Sequence, residues 1–132
     1  MALRCLAAIS VLLFGVWASP ASASVDSFAE SFLVRDTSTG ASGDFFGFSV
    51  AIEDDTLAIG APGADGNAGA VYLYARTGGA VTLRKVIIPD DQVPGDLFGY
   101  SVDLDDGQLI VGAPWNDDKG VNAGAVYIFD VS

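Results

Sequence analysis

The stretch Gly43-Asp44-Phe45-Phe46-Gly47-Phe48-Ser49-Val50 leads through a short acidic turn into Leu57-Ala58-Ile59-Gly60-Ala61-Pro62, and the chain contains this pattern twice. The second copy reads Gly95-Asp96-Leu97-Phe98-Gly99-Tyr100-Ser101-Val102 and then Leu109-Ile110-Val111-Gly112-Ala113-Pro114. The offset between the copies is 52 residues, and eleven of the twenty paired positions are identical. A period of about 50 residues predicts an array of repeated supersecondary units.

A second shared string follows each copy. It reads Asn67-Ala68-Gly69-Ala70-Val71-Tyr72 in the first repeat and Asn122-Ala123-Gly124-Ala125-Val126-Tyr127 in the second. The offset here is 55, so the loop before this string is three residues longer in the second repeat. We therefore place repeat 1 at about residues 43–88 and repeat 2 at about residues 95–130.

Each repeat contains short β-branched and aromatic runs that predict antiparallel strands. In repeat 1 the predicted strands are Phe46 to Ile52, Leu57 to Gly60, Ala70 to Tyr74 and Val81 to Ile88. Charged residues and a following proline favour an edge position for the fourth strand. The third strand is apolar at nearly every position, as is its counterpart Ala125 to Phe129, so we expect both faces of each sheet to be covered.

A tight hairpin is predicted between the first two strands of each repeat. Asp55 and Gly107 occupy equivalent positions there, and both residue types tolerate a positive φ. Asp44 and Asp96 recur inside the motif, which favours a repeated structural role such as an Asx turn over a role as a ligand.

The N-terminal 23 residues are predicted to be a cleaved secretory signal. Arg4 precedes an apolar run of fourteen residues, Cys5 to Ala18, and Ala21-Ser22-Ala23 offers small residues for cleavage. An uncleaved anchor is the alternative, but the run is short for a bilayer span. The segment 28–35 precedes repeat 1 as Val81 to Ile88 precedes repeat 2. We interpret it as a surplus fourth strand that pairs with Ala125 to Phe129, in the same molecule or a neighbour.

The remaining residues, 24–132, are sufficient for one small domain without disulfides. They contain no cysteine and no histidine, and five basic residues stand against seventeen acidic ones, a net charge of −12. Such a charge repels nucleic acid and anionic lipid. No further membrane span is predicted after the signal.

These motifs resemble the FG-GAP repeat family, whose repeats form the blades of integrin α-chain β-propellers and of many secreted bacterial proteins. The residues that carry the resemblance are Phe46, Gly47, Gly60, Ala61 and Pro62, with Phe98, Gly99, Gly112, Ala113 and Pro114. The resemblance implies an all-β fold of four-stranded antiparallel propeller blades. Two blades are present, the second without its fourth strand, which makes an incomplete propeller.

The family also implies calcium in many integrin-type blades, in an acidic loop between the first and second strands. The corresponding segments here, Ile52 to Leu57 and Leu104 to Leu109, are too short for the nine-residue calcium loop. No cofactor is therefore expected. Weaker candidate metal ligands are Asp65 and Asn67 in one loop, with Asp117 and Asp118 in the other. Asp103, Asp105 and Asp106 are a further candidate set, with a solvated hairpin tip as the alternative.

The longer loop of repeat 2 contains the candidate binding residues. Trp115 replaces Gly63 of repeat 1, and a loop tryptophan is either a binding hot spot or a packing residue against a neighbouring blade. The candidate recognition surface consists of Trp115, Asn116, Asp117 and Asp118. An enzyme is not expected, since the chain after the signal has neither a histidine base nor a thiol nucleophile.

The sequence thus predicts a secreted, non-catalytic propeller module for adhesion or for recognition of a protein or glycan. It would be extracellular, or periplasmic or on the cell surface in a bacterium. The alternatives are a calcium-stabilised structural module and a piece of a larger propeller protein. Because two blades leave apolar faces uncovered, self-assembly and pairing with other blade-bearing chains also stay open.

Overall fold

The computed structural model describes residues 33–35 and 41–132. The predicted signal, residues 1–23, and residues 28–32 of the predicted N-terminal strand lie outside these ranges. The described residues form seven strands and one short helix. In chain order they are β1 Ser49–Glu53, β2 Thr56–Ala61, α1 Ala64–Asn67, β3 Ala70–Thr77, β4 Ala80–Ile87, β5 Ser101–Asp105, β6 Gln108–Ala113 and β7 Ala125–Asp130.

The fold is all-β, with two antiparallel sheets of four and three strands. The first sheet has the order β1-β2-β3-β4, and the second has the order β5-β6-β7. Each repeat therefore folds as its own sheet, and the two sheets are not joined into a closed sheet within the described residues. The predicted edge position of β4 is confirmed, since β4 pairs with β3 alone.

Both predicted hairpins are present. Glu53 pairs with Thr56, and Asp105 pairs with Gln108, so each loop has two residues. In the second hairpin both loop residues have positive φ, Asp106 at 49° and Gly107 at 71°. In the first hairpin the left-handed residue is Asp54, with φ 48°, and not Asp55 as the comparison of the repeats predicts.

The Phe-Gly pairs lie before their strands and not inside them, which corrects the predicted start of the first strand. Phe45 and Gly47 have φ values of 54° and 89°, and the Phe48 amide donates to the Phe45 carbonyl at 3.0 Å. Leu97 and Gly99 repeat this geometry, with φ values of 57° and 86°. An extended strand requires negative φ, so β1 and β5 begin only at the serine that follows.

A short helix, α1, follows Gly-Ala-Pro in the first repeat, where the sequence shows no helical period. Its interior is irregular, because Asp65 and Gly66 have positive φ values of 49° and 67°. It is therefore a tight irregular turn between β2 and β3 that leaves the all-β assignment unchanged.

The main hydrophobic core lies between the two sheets. The first sheet contributes Ala58, Val71, Leu73 and Ile87. The second contributes Leu104, Leu109, Val111 and Ala113, and Phe98 joins them from the segment before β5. Phe98 is fully buried, and its ring meets those of Tyr127 and Phe129 edge to face, at centroid distances of 5.3 and 6.1 Å. Edge-to-face pairs of this kind add to the stabilisation from burial alone.

A second cluster covers the opposite face of the first sheet. Its buried members include Ile59, Tyr72 and Tyr74, and Phe46 packs edge to face on Tyr72 at 5.2 Å. Val34 packs against this cluster and lies in a stretch, 33–35, that is not a strand. The pairing proposed for the rest of the N-terminal segment falls on residues outside the described ranges.

The expectation that both faces of each sheet are covered is correct for β3 and wrong for β7. Val71 and Leu73 on β3 are almost fully buried. Their counterparts Val126 and Ile128 on β7 are 68% and 63% exposed. The two strands have nearly the same sequence, but β3 has the second sheet against it, whereas nothing in the described residues covers this face of β7.

Candidate functional site

The candidate binding loop connects β6 to β7 and begins at Pro114. Trp115 stands at its start, and its backbone amide donates to the Asp96 carbonyl at 3.3 Å. The Trp115 residue is 56% exposed. Its backbone is therefore fixed to the motif of its own repeat, while more than half of the residue stays open to solvent.

The Asn116 side chain is buried beneath the loop and stabilises it by hydrogen bonds. Although it was predicted as a binding residue, it is only 2% exposed. Its side-chain amide donates to Asp96 Oδ2 and to the Tyr127 hydroxyl, each at 3.3 Å, and its Oδ1 accepts from the Asp118 amide at 3.2 Å. Asn116 thus positions the loop, which leaves Trp115, Asp117 and Asp118 as the members of the set that can contact a ligand directly.

Asp117 and Asp118 are both exposed at the loop surface. Asp117 Oδ1 accepts from the Asn122 amide at 2.6 Å, and its carbonyl accepts from the Gly120 amide at 3.0 Å. The Gly124 amide donates to the Asn116 carbonyl at 3.0 Å and closes the loop. Side-chain to backbone bonds of this type are the usual means of ordering an Asp- and Asn-rich turn.

The base of the loop is a small polar network around Tyr127. Its hydroxyl donates to Asp91 Oδ1 at 3.2 Å and accepts from Asn116. Burial raises the pKa of Tyr127 to about 12, and the nearby Asp91 carboxylate adds to the increase. The phenol therefore stays protonated at neutral pH, as the hydrogen bond to Asp91 requires.

The candidate metal ligands of the first loop, Asp65 and Asn67, lie in and beside the irregular turn α1. Asp65 and Asn67 are exposed, and both have positive φ, 49° and 69°. The Asn67 carbonyl accepts from the Gly95 and Leu97 amides, at 3.1 and 2.9 Å. Asn67 therefore belongs to a contact between the two repeats.

No group of three or more Asp, Glu, His or Cys side chains that could hold a metal ion occurs among residues 33–35 and 41–132. Of the hairpin-tip set, Asp103 Oδ1 accepts the Leu104 amide at 3.0 Å. The Asp106 and Gly107 amides donate to the Glu53 carboxylate, at 2.6 and 3.1 Å. The hairpin tip of the second repeat thus presents backbone donors to an acid of the first repeat.

The predicted structural role of Asp44 and Asp96 is confirmed. Asp96 Oδ2 accepts from the Val93 amide at 3.0 Å, and Asp44 Oδ2 accepts from the Ala41 amide at 3.2 Å. The bond reaches back three residues, so the motif is a closed turn of a different type from the Asx turn named above. Both residues are buried.

Residue type alone does not predict two exposed apolar features of the surface. Val121, in the same loop as Trp115, is 87% exposed. The exposed face of β7 is the other. The only sequence signal near Val121 is the three-residue insertion that separates the loops of the two repeats.

Within the described part of the chain, no helix is both long enough and apolar enough to cross a membrane. A search of curated proteins found no match for this chain. A protein-family model, described as the FG-GAP repeat, matches residues 37–74 and 81–129, which together cover more than half of the chain. The two matched segments contain the two copies of the motif. The chain belongs to the FG-GAP repeat family.

Proposed function

We propose that this chain is a secreted, non-catalytic β-propeller module that recognises a protein or glycan ligand in adhesion. Each sheet is one blade in this proposal, with β1 and β5 as the inner strands and β4 as an outer strand. Family membership and the face-to-face packing of the two sheets support it. Propellers close with about four to eight blades, so these two form part of a larger ring.

The observation that carries the recognition proposal is an exposed tryptophan on a loop whose interior is fixed. Tryptophan is enriched in binding hot spots because it provides a large contact area and one hydrogen-bond donor. Here the buried Asn116 side chain makes three hydrogen bonds that order the loop before any ligand arrives. A pre-ordered loop loses less conformational entropy on binding.

The neighbours of Trp115 suit a mixed ligand surface. Val121 adds exposed apolar area, while Asp117 and Asp118 provide carboxylate acceptors for cationic side chains or for sugar hydroxyl groups. Lys119 is also exposed. A polar rim around an apolar anchor is the usual composition of a recognition site.

The non-catalytic part of the proposal is supported by the chemistry of the side chains. The sequence contains no histidine, and its one cysteine, Cys5, lies in the predicted signal. The buried acids Asp44 and Asp96 are used by backbone amides in turns. Paired-carboxylate hydrolysis requires one acid whose carboxyl is free to protonate the leaving group, whereas these two carboxylates accept hydrogen bonds from the backbone.

Binding of the full chain to an array of defined oligosaccharides and to a displayed peptide library tests the recognition proposal. We expect one class of probe to bind, and Trp115→Ala to abolish that binding while the circular dichroism spectrum stays unchanged. Phe48→Ala is the matched control, because Phe48 is an aromatic residue of similar exposure, 52%, outside the loop. Binding that survives Trp115→Ala would refute the role of this loop.

Secretion is tested separately. Expression in a secreting host and N-terminal sequencing of the exported protein are expected to give a chain that begins near Ser24. Retention of an intact N-terminus inside the cell would contradict the proposed signal.

A further inference from the structure

We propose that the exposed face of the second sheet is a socket for the first repeat of a second copy of this chain, so that copies associate head to tail. The contact would reproduce the one that already joins repeat 1 to repeat 2 within a chain. The surfaces involved share no residue with the Trp115 loop site, Trp115 to Asp118, so the two proposals can fail independently.

The internal contact depends on backbone hydrogen bonds between the repeats. The Leu97 and Phe98 amides of repeat 2 donate to the carbonyls of Asn67 and Ala68, each at 2.9 Å. Phe98 also forms a parallel bridge with Gly69. The Phe-Gly segment of one repeat thus lies along the Asn-Ala-Gly segment of the preceding one.

A hydroxyl and a glycine complete this contact. Ser49 Oγ donates to the Gly99 carbonyl at 2.8 Å. A Cβ on Gly60 would overlap that same carbonyl, so only glycine permits the approach. Ser49 and Gly60 are paired across β1 and β2, and they form one socket that receives Phe98-Gly99.

Repeat 2 presents the same socket, and none of residues 33–35 and 41–132 lies in it. A groove of about 470 Å³ on the second sheet is lined by the counterparts of the residues that receive Phe98-Gly99. These lining residues include Ser101, Gly112, Ala113, Gly124, Ala125 and Val126. Within the described residues, the carbonyls of Asn122 and Ala123 accept no hydrogen bond, although Asn67 and Ala68 do in repeat 1.

Repeat 1 presents the complementary surface, which the described residues also leave uncovered. The amides equivalent to the docked ones, those of Phe45 and Phe46, donate to no acceptor in the described part of the chain. Ile52 on β1 is 59% exposed, whereas its counterpart Leu104 is 8% exposed because it packs against the first sheet. One chain therefore has both halves of the contact, each on a different face.

Equivalent residues of the two repeats differ in their exposed fraction, and the difference shows how much of the second sheet has no surface packed against it within the described residues. Val71 and Val126 follow the same Gly-Ala dipeptide, and they are 0% and 68% exposed. Leu73 and Ile128 are 2% and 63% exposed. A contiguous exposed apolar face of this kind is characteristic of an interaction surface. The surface that fits this face is the equivalent of the one that packs against β3. In a second copy it consists of the repeat-1 counterparts of Phe98, Gly99 and Leu104.

The hairpin contact is also repeated, with one unfavourable substitution. Asp105 is the counterpart of Glu53, which accepts the two hairpin amides of repeat 2, so Asp105 would face the hairpin amides of Asp54 and Asp55 in the second copy. At the position of Ala51, however, repeat 2 has Asp103. A carboxylate facing apolar residues weakens an interface. Asp103→Ala is therefore expected to tighten the association.

The two halves of the contact are different surfaces, so the association is heterologous and propagates until it closes. With two repeats per chain, a ring of about four to eight blades requires two to four copies.

Sedimentation velocity of the full chain over a range of concentrations tests the proposal. We expect species heavier than a single copy, whose mass is 13.6 kDa before removal of the predicted signal, in amounts that rise with concentration. Val126→Glu in the socket and Ile52→Lys on the opposite face should each raise the dissociation constant about 100-fold or more, because an unpaired charge would be buried. Both positions are exposed in the single chain, so folding should be retained. Leu83→Glu is the matched control and should leave association unchanged, because Leu83 is 41% exposed on β4 and belongs to neither of the two surfaces.

Mixing the two variants gives the decisive result. A chain with Val126→Glu keeps an intact first repeat, and a chain with Ile52→Lys keeps an intact socket. Each alone should be a monomer, but the mixture should form a one-to-one dimer that grows no further. A wild-type chain that stays monomeric up to about 1 mM would overturn the proposal. Failure of the mixture to dimerise, or loss of association in Leu83→Glu, would overturn it as well.

Discussion

Truncation of the two equivalent valines, Val71→Ala and Val126→Ala, should have very different effects on stability. Both residues occupy the second position of the third strand of their repeat, after the same Gly-Ala dipeptide. The lower strand propensity of alanine should therefore reduce the free energy of unfolding of both variants by a similar amount. What differs is the exposed fraction, 0% for Val71 and 68% for Val126.

The expected magnitudes follow from that difference. Val71→Ala removes two buried methyl groups, about 1.6 kcal/mol at roughly 0.8 kcal/mol for each buried carbon. The cavity left in a core formed from both sheets brings the loss in the free energy of unfolding to about 2–3 kcal/mol. Val126→Ala removes mostly exposed surface and should cost less than about 0.5 kcal/mol.

Urea denaturation followed by far-ultraviolet circular dichroism measures both losses. The experiment is run at a concentration where the chain is monomeric, and the slope of free energy against urea should not change. Equal losses for the two variants would refute the assignment of the inter-sheet core. At higher concentration the loss for Val126→Ala should grow, because association stabilises the folded state by mass action.

Three further outcomes are expected. Asn116→Ala should lower the free energy of unfolding by about 1–3 kcal/mol, since the buried Asp96 carboxylate loses the Asn116 donor and keeps only the bond from the Val93 amide. It should also increase the mobility of Trp115 in fluorescence anisotropy; an unchanged anisotropy would contradict the anchoring role. EDTA and millimolar Ca²⁺ should leave the melting temperature unchanged, whereas a calcium site filled at 100 times its dissociation constant would add about 2.7 kcal/mol. The raised pKa of Tyr127 favours the folded state fully below pH 10, the ordinary tyrosine value, and this contribution is lost as the pH rises toward 12. Tyr127→Phe should remove that alkaline loss and the latest step in a spectrophotometric titration of the tyrosines; an unaltered titration would contradict the shift.

The repeat predicts the strands and their pairing well, because each strand is specified by local composition and each hairpin by two turn residues. It fails at the Phe-Gly pairs. Phe46 is a strand-forming residue by type, yet the positive φ values on either side of it, at Phe45 and Gly47, prevent an extended backbone. Those values accompany closure of the turn by the bond from the Phe48 amide to the Phe45 carbonyl, which residue type alone does not encode.

Burial is the property that the sequence predicts least well. The strands β3 and β7 contain nearly the same residues, and their pattern predicts two covered faces for both. Whether a face is covered depends on which surface packs against it, and that is a tertiary property. The same limit applies to the binding loop. Asparagine occurs both at turn surfaces and inside them, so the sequence placed Asn116 with the ligand-contacting residues although its side chain orders the loop.

The two halves of the FG-GAP motif meet across the boundary between repeats, and this determines where function can reside. Gly99 of one repeat lies against Gly60 of the other, and a Cβ on either would come too close to a backbone carbonyl of the opposite repeat. Gly60 and Gly99 are thus required for packing of repeat on repeat, and neither has a side chain to offer a ligand. The positions released from this requirement lie in the loop after Gly-Ala-Pro, where repeat 2 has three additional residues and Trp115 in place of Gly63. In repeat 1, Gly63 packs so closely against Gly43 and Phe45 that a larger side chain would not fit there. The indole of Trp115 therefore requires the different backbone path of the longer loop in repeat 2, which the Asn116 hydrogen bonds stabilise.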